Sequence, residues 1–116
     1  MGAVYRARQT ALDKTIAIKV MHRELAVDPM FATRFHREAR AASRLDHPNS
    51  LRVIDFGEEP DGLLYIAMEY LEGRDLLKVI NEDWPLSKER IVEILGQALA
   101  AIATAHEMGV VHRDLK

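Results

Sequence analysis

Thr15-Ile16-Ala17-Ile18-Lys19-Val20-Met21 is the stretch from which the rest of the chain can be read. Successive side chains of an extended strand point to opposite faces, so Ile16, Ile18 and Val20 share one face and Ala17 and Lys19 the other. A lysine in such a place is either solvated at a strand edge or held against an opposite charge. Just upstream, the β-prone run from Ala3 to Arg8 is joined to it by the polar connection Gln9-Thr10-Ala11-Leu12-Asp13-Lys14. The two runs are expected to pair as antiparallel strands.

Downstream of Asp28-Pro29 a helical pattern runs from about Met30 to Leu45 and is closed by His47-Pro48-Asn49. At about 100° per residue, Phe31, Phe35, Ala42 and Leu45 fall in a narrow stripe, with Glu38 in its middle. A carboxylate among apolar residues requires a cation across the interface, and Lys19 is the obvious candidate. The alternative is a solvated Lys19 and a partly exposed Glu38.

Two further strands, Leu51 to Phe56 and Leu63 to Met68, flank the turn Glu59-Pro60-Asp61-Gly62. Glu69 to Gly73 reads as a connector, and Asp75 to Asn81 as a short helix ended by polar residues and Trp84-Pro85. Ser87 can cap a long helix from about Lys88 to Met108, with Gly109 just beyond it. Its stripe of Ile91, Leu95, Ala98, Leu99 and Ile102 requires a partner surface. The fold class expected is α+β: a small antiparallel sheet with one helix, then a connector, then helices.

Composition bounds the function classes. The chain has 116 residues, 48% of them apolar and 29% charged, with a net charge of −2. That is ordinary globular composition. No run of Lys and Arg suggests nucleic acid or an anionic membrane surface as partner. The absence of cysteine excludes disulfides and thiolate metal sites. No run approaches the ~18 apolar residues of a membrane span, and a cytoplasmic location is expected.

The words around the strand and helix carry a family resemblance: Met1-Gly2-Ala3-Val4, Ile16-Ala17-Ile18-Lys19, Glu38, His47-Pro48-Asn49 and His112-Arg113-Asp114-Leu115-Lys116. In collinear order they resemble the eukaryotic-type serine/threonine protein kinases, in the style of bacterial members. The resemblance covers essentially the whole chain and implies a partial kinase domain, from the end of the glycine-rich loop to the opening of the catalytic loop. It implies a small lobe lacking its first strand over 1–68, a hinge over 69–75 and the start of the large lobe over 76–116.

The resemblance also implies roles. Lys19, paired with Glu38, would hold the α- and β-phosphates of ATP, and Gly2 would close the phosphate-covering loop. Val4 and Ala17 would roof the adenine, and Met68 would guard the back pocket. The backbones of Glu69 and Leu71 would meet the base, and Leu76 would pack beneath it. Asp75 is left between two readings, a ribose contact and a helix N-cap, and Met68 could instead be a gap filler. Asp114 would accept the proton of the substrate hydroxyl, and Lys116 would steady the transferring phosphoryl group.

The partners implied are ATP and a protein bearing serine or threonine, with Mg²⁺ ligands expected beyond Lys116. A domain incomplete in this way is expected to be inactive alone. The alternative is a non-catalytic kinase remnant that binds nucleotide or a partner, and a weaker one is a small-molecule kinase of related fold. Asp55-Phe56-Gly57 spells the metal motif of these kinases but precedes His112, the wrong order, and is read as strand end and turn. The five histidines lack the spacing of a zinc site.

Overall fold

The alternating run at 15–21 is the second of four strands in an antiparallel sheet. The computed structural model describes residues 2–113 and 115. Its elements are β1 (Gly2–Gln9), β2 (Lys14–Met21), α1 (Arg23–Ala26), α2 (Pro29–Ser43), β3 (Val53–Glu58), β4 (Leu64–Glu69), α3 (Leu76–Asp83) and α4 (Lys88–Glu107). They fall into two compact units, one of Met1–Asp46 with Ser50–Tyr70 and one of His47–Asn49 with Leu71–Lys116.

In the first unit the strand order is β1-β2-β4-β3, with every neighbouring pair antiparallel. Residues directly opposite one another share a face. The registers Gly2↔Met21, Val4↔Lys19 and Arg6↔Ala17 continue into Lys19↔Ile66 and Ala17↔Met68. Gly2, Val4, Arg6, Ala17, Lys19, Met21, Ile66 and Met68 therefore line one face. Gly2 is required by closeness, because a Cβ there would run into the Val20 carbonyl oxygen.

The helix α2 closes over one end of that face. Its start is fixed by Asp28, whose Oδ1 accepts from the Met30 amide at 2.9 Å, and by Pro29 in the first turn. Such a cap contributes about 1 kcal/mol, and the proline has no amide proton to leave unsatisfied. Phe35 joins Met21 and Leu64 in the core, with Ala26, Phe31, Ala32 and Ile66 packed around them. Leu64 is 0% exposed. The one-turn helix α1, absent from the sequence-based expectation, supplies Ala26 to this cluster; four residues are too few to show a helical period.

The buried face of α2 differs from the expected stripe. Phe35 and Ala39 are its buried residues, flanked by half-buried Phe31 and Ala32, whereas Glu38 and Ala42 are exposed. The apolar face centres on Phe35, between Phe31 and Ala39, which leaves Glu38 at its margin. The β3 strand also begins two residues later than expected, with an irregular register between Val53 and Asp55. The turn after it matches its sequence, with Gly62 at φ 80° and the Gly62 amide donating to the Glu59 carbonyl at 2.8 Å.

In the second unit, α3 is capped by Asp75 and α4 by Ser87, whose hydroxyl oxygen accepts from the Arg90 amide at 3.2 Å. The end of α4 is a Schellman motif: Gly109 N–H donates to the His106 carbonyl and Val110 N–H to the Ala105 carbonyl, both at 2.9 Å. Gly109 at φ 75° occupies the left-handed position that this motif reserves for glycine. Arg74 joins the start of α3 to its end through Glu82 and a two-pronged contact with Asp83. Those bonds raise the Arg74 pKa further and hold the Asp83 carboxyl below its ordinary value. Residues His47–Asn49 group with this unit, Asn49 Nδ2 donating to Gln97 Oε1 at 2.9 Å. Along α4, Val92, Leu95 and Leu99 are exposed.

Candidate functional site

The face of the sheet left open beside α2 gathers five of the sequence-predicted residues. Strand alternation and register alone place Gly2, Val4, Ala17, Lys19 and Met68 together. Ala17 lies directly between Arg6 and Met68, and Lys19 between Val4 and Ile66. The result is a shallow apolar floor with a small side chain at its centre and an ammonium beside it. A flat apolar group could rest on Ala17, and an anion could reach Lys19.

Lys19 is half-buried and Glu38 exposed, and neither side chain takes part in an ion pair or side-chain hydrogen bond among the described residues. The expected Lys19–Glu38 pair is thus not formed, and the idea of a buried Glu38 is corrected. The reason is packing: Phe31, Phe35 and Ala39 together bury far more apolar surface than one exposed ion pair could offset. Lys19 is left available to an anion.

At the end of β4, Glu69 is committed to Arg52. Its Oε1 accepts from the Arg52 amide at 2.7 Å, and its own amide donates to the Arg52 carbonyl at 3.0 Å. The Glu69 carbonyl is the backbone group that this pairing does not engage. Tyr70 follows, with the Arg6 guanidinium 5.2 Å from its ring centroid, a contact the sequence reading missed because it joins residues 64 positions apart. Leu71, Asp75 and Leu76 belong to the second unit. There the Asp75 carboxylate accepts from the Lys78 amide at 2.7 Å, which realises the N-cap reading of that residue. Leu71 and Leu76 are exposed. Asp114 and Lys116 lie outside the described residues; Arg113, before them, has φ 65°, a left-handed conformation that costs a non-glycine residue about 1–3 kcal/mol.

Asp55-Phe56-Gly57 has a structural account. Asp55 Oδ1 accepts from the Phe56 amide at 2.8 Å. Gly57 stands opposite Tyr65, and a Cβ on it would come within 3.0 Å of the Tyr65 hydroxyl oxygen. Burial first, then the Asp55 and Glu59 charges, push the Tyr65 pKa above 10. Among the described residues no group of three His, Asp or Glu side chains could hold a metal ion. No helix of the described residues is long and apolar enough to cross a membrane.

An antiparallel sheet with a lysine on its open face, one capped helix packed over it and a helical second unit define a class, and comparison with known proteins agrees. The protein kinase domain family matches residues 1–116, and the chain belongs to that family. The serine/threonine-protein kinase pkn3 of Myxococcus xanthus is 53% identical over 116 residues, covering 100% of this chain and 21% of that protein. PrkC of Bacillus subtilis is 45% identical, with 100% of this chain and 18% of that protein covered. Among solved structures, the PknI kinase domain of Mycobacterium tuberculosis is similar with a TM-score of 0.84 and 36% identity, over 100% of this chain and 47% of that one. The chain spans about a fifth of the length of these curated relatives.

Proposed function

We propose that the chain serves an ATP-dependent protein serine/threonine kinase, with residues 1–68 as a small lobe, 69–75 as a hinge and 76–116 as the start of a large lobe. The observation that carries this reading is the shared face of Val4, Ala17, Lys19 and Met68. Adenine would rest on Val4 and Ala17, stopped at Met68, with the Glu69 carbonyl and the Leu71 amide as its hydrogen-bonding edge. Lys19, half-buried and without a carboxylate among the described residues, has the character of a phosphate ligand.

Asp114 would orient the substrate hydroxyl and take its proton, and Lys116 would neutralise charge on the phosphoryl group in flight. Mg²⁺ would supply charge neutralisation between the β- and γ-phosphates, from ligands other than the described residues. Asp75 acts first as the cap of α3. Use of ATP and a protein substrate suits a cytoplasmic location.

One observation favours a second reading, a module that binds nucleotide without turnover: Glu38 is not paired with Lys19. Phosphate incorporation into a serine/threonine peptide pool separates the two. Incorporation lost in both Lys19→Met and Asp114→Asn supports the kinase reading. ATP binding without incorporation supports the second, and absence of ATP binding contradicts both.

A further inference from the structure

Arg6 is the arginine of the first unit whose partner is an aromatic ring. Its guanidinium lies over Tyr70 and, among the described residues, makes no ion pair, whereas Arg8, two positions on, is paired with Asp13. The contact spans a strand. Since β2 lies between β1 and β4, the two outer strands are about 10 Å apart, and Arg6 has to reach across that width to meet the residue following β4.

Register decides where the bridge lies. Ile16 is opposite Glu69, so Tyr70, the next residue, falls at the level of Thr15, beyond Ala17 as seen from Lys19. Tyr70 is also anchored from below, because Glu69 is bonded to Arg52 through both its carboxylate and its amide. Arg6 thus docks on a ring whose backbone is already fixed. The open face is left with an ammonium at one end, the small Ala17 in the middle, and a guanidinium on a ring at the other end.

We propose that Arg6, seated on Tyr70, is a base-positioning residue, the end wall against which adenine on Ala17 is held. This rests on the nucleotide reading of the face. The unsubstituted ring nitrogens of adenine are acceptors, and a guanidinium offers only donors, in a plane fixed here by the ring beneath it. A second phosphate ligand is the competing role for a cation on this face. Its place would be beside Lys19, where Val4 stands; Arg6 is one row further along, about 7 Å away, and is drawn further still by Tyr70.

The test is calorimetric titration of the full chain with ATP, ADP and AMP. Arg6→Gln is expected to weaken all three by the same factor, about threefold to fivefold, the scale of an exposed cation–π contact. Lys19→Met should instead cost more with each added phosphate. Tyr70→Leu should match Arg6→Gln, Tyr70→Phe, which keeps the ring, should retain most of the affinity, and Arg6→Lys part of it. The double variant Arg6→Gln with Tyr70→Leu should be no weaker than either single one, as for two residues acting as a unit. Both side chains are exposed, so circular dichroism and melting should match the unmodified chain; if Arg6→Gln fails to fold, Tyr70→Leu against Tyr70→Phe decides by the same comparison. An Arg6→Gln loss that grows from AMP to ATP, unchanged affinity for all three, or additive losses in the double variant overturns the proposal and leaves the nucleotide reading standing. Absence of ATP binding by the unmodified chain overturns that reading and the proposal with it.

Discussion

Ala17 on β2 stands directly opposite both Arg6 on β1 and Met68 on β4, so the smallest side chain of the open face lies between two long ones. A small side chain there leaves a gap between its two neighbours. Ala17→Leu should fill that gap and weaken ATP binding about tenfold or more while costing no more than about 1–3 kcal/mol of stability, the usual range for an added bulk at a partly buried position. Calorimetric titration with ATP, alongside thermal melting of the same variant, checks it. Unchanged affinity would place the base elsewhere.

Exposure of Glu38 leads to a split outcome for Glu38→Gln. Without nucleotide the melting temperature should stay where it is, because an exposed carboxylate with no partner contributes within about ±0.5 kcal/mol. ATP affinity should fall about fivefold, the equivalent of ~1 kcal/mol, if α2 brings Glu38 to Lys19 once phosphate is bound. A large loss of stability in the free protein would show that Glu38 is engaged after all.

Much of the fold was legible because strand alternation and cap residues act locally. The pairing faces of Ile16 to Val20, the Asp28-Pro29 start, the Ser87 cap and the Gly109 stop all follow from a few neighbouring residues. The stripe on α2 was misjudged because Phe31 and Phe35 are compatible with two centres, and Ala39, too small to weigh in a hydrophobic count, decides between them by packing at 3% exposure. The grouping of Asn49 with Gln97 and the Arg6–Tyr70 contact depend on chain segments far apart in sequence. Local patterns carry no trace of such partners. Of the candidate site, the sheet face could be read from alternation, but the state of the Lys19–Glu38 pair could not.

The Tyr65 hydroxyl makes stability sensitive to alkaline pH. Its pKa is raised above the unfolded value of 10.0, first by burial and then by the Asp55 charge. The folded state therefore favours the protonated phenol: the contribution is fully present below pH 10 and is lost as pH rises through the folded pKa. In a Tyr5→Phe, Tyr70→Phe background, tyrosinate absorbance should show Tyr65 titrating above the free phenol. Asp55→Asn should lower that midpoint without restoring the free value, since burial remains. A midpoint indifferent to Asp55 would contradict the part assigned to its charge.

Lys19, on the same face as Val4, Ala17 and Met68, is the phosphate ligand we propose. ATP should raise the melting temperature of the unmodified chain, and Lys19→Met should abolish most of that shift while leaving the melting temperature without nucleotide within the small range of a partly exposed substitution. An ATP-induced shift of the same size in Lys19→Met would contradict the assignment.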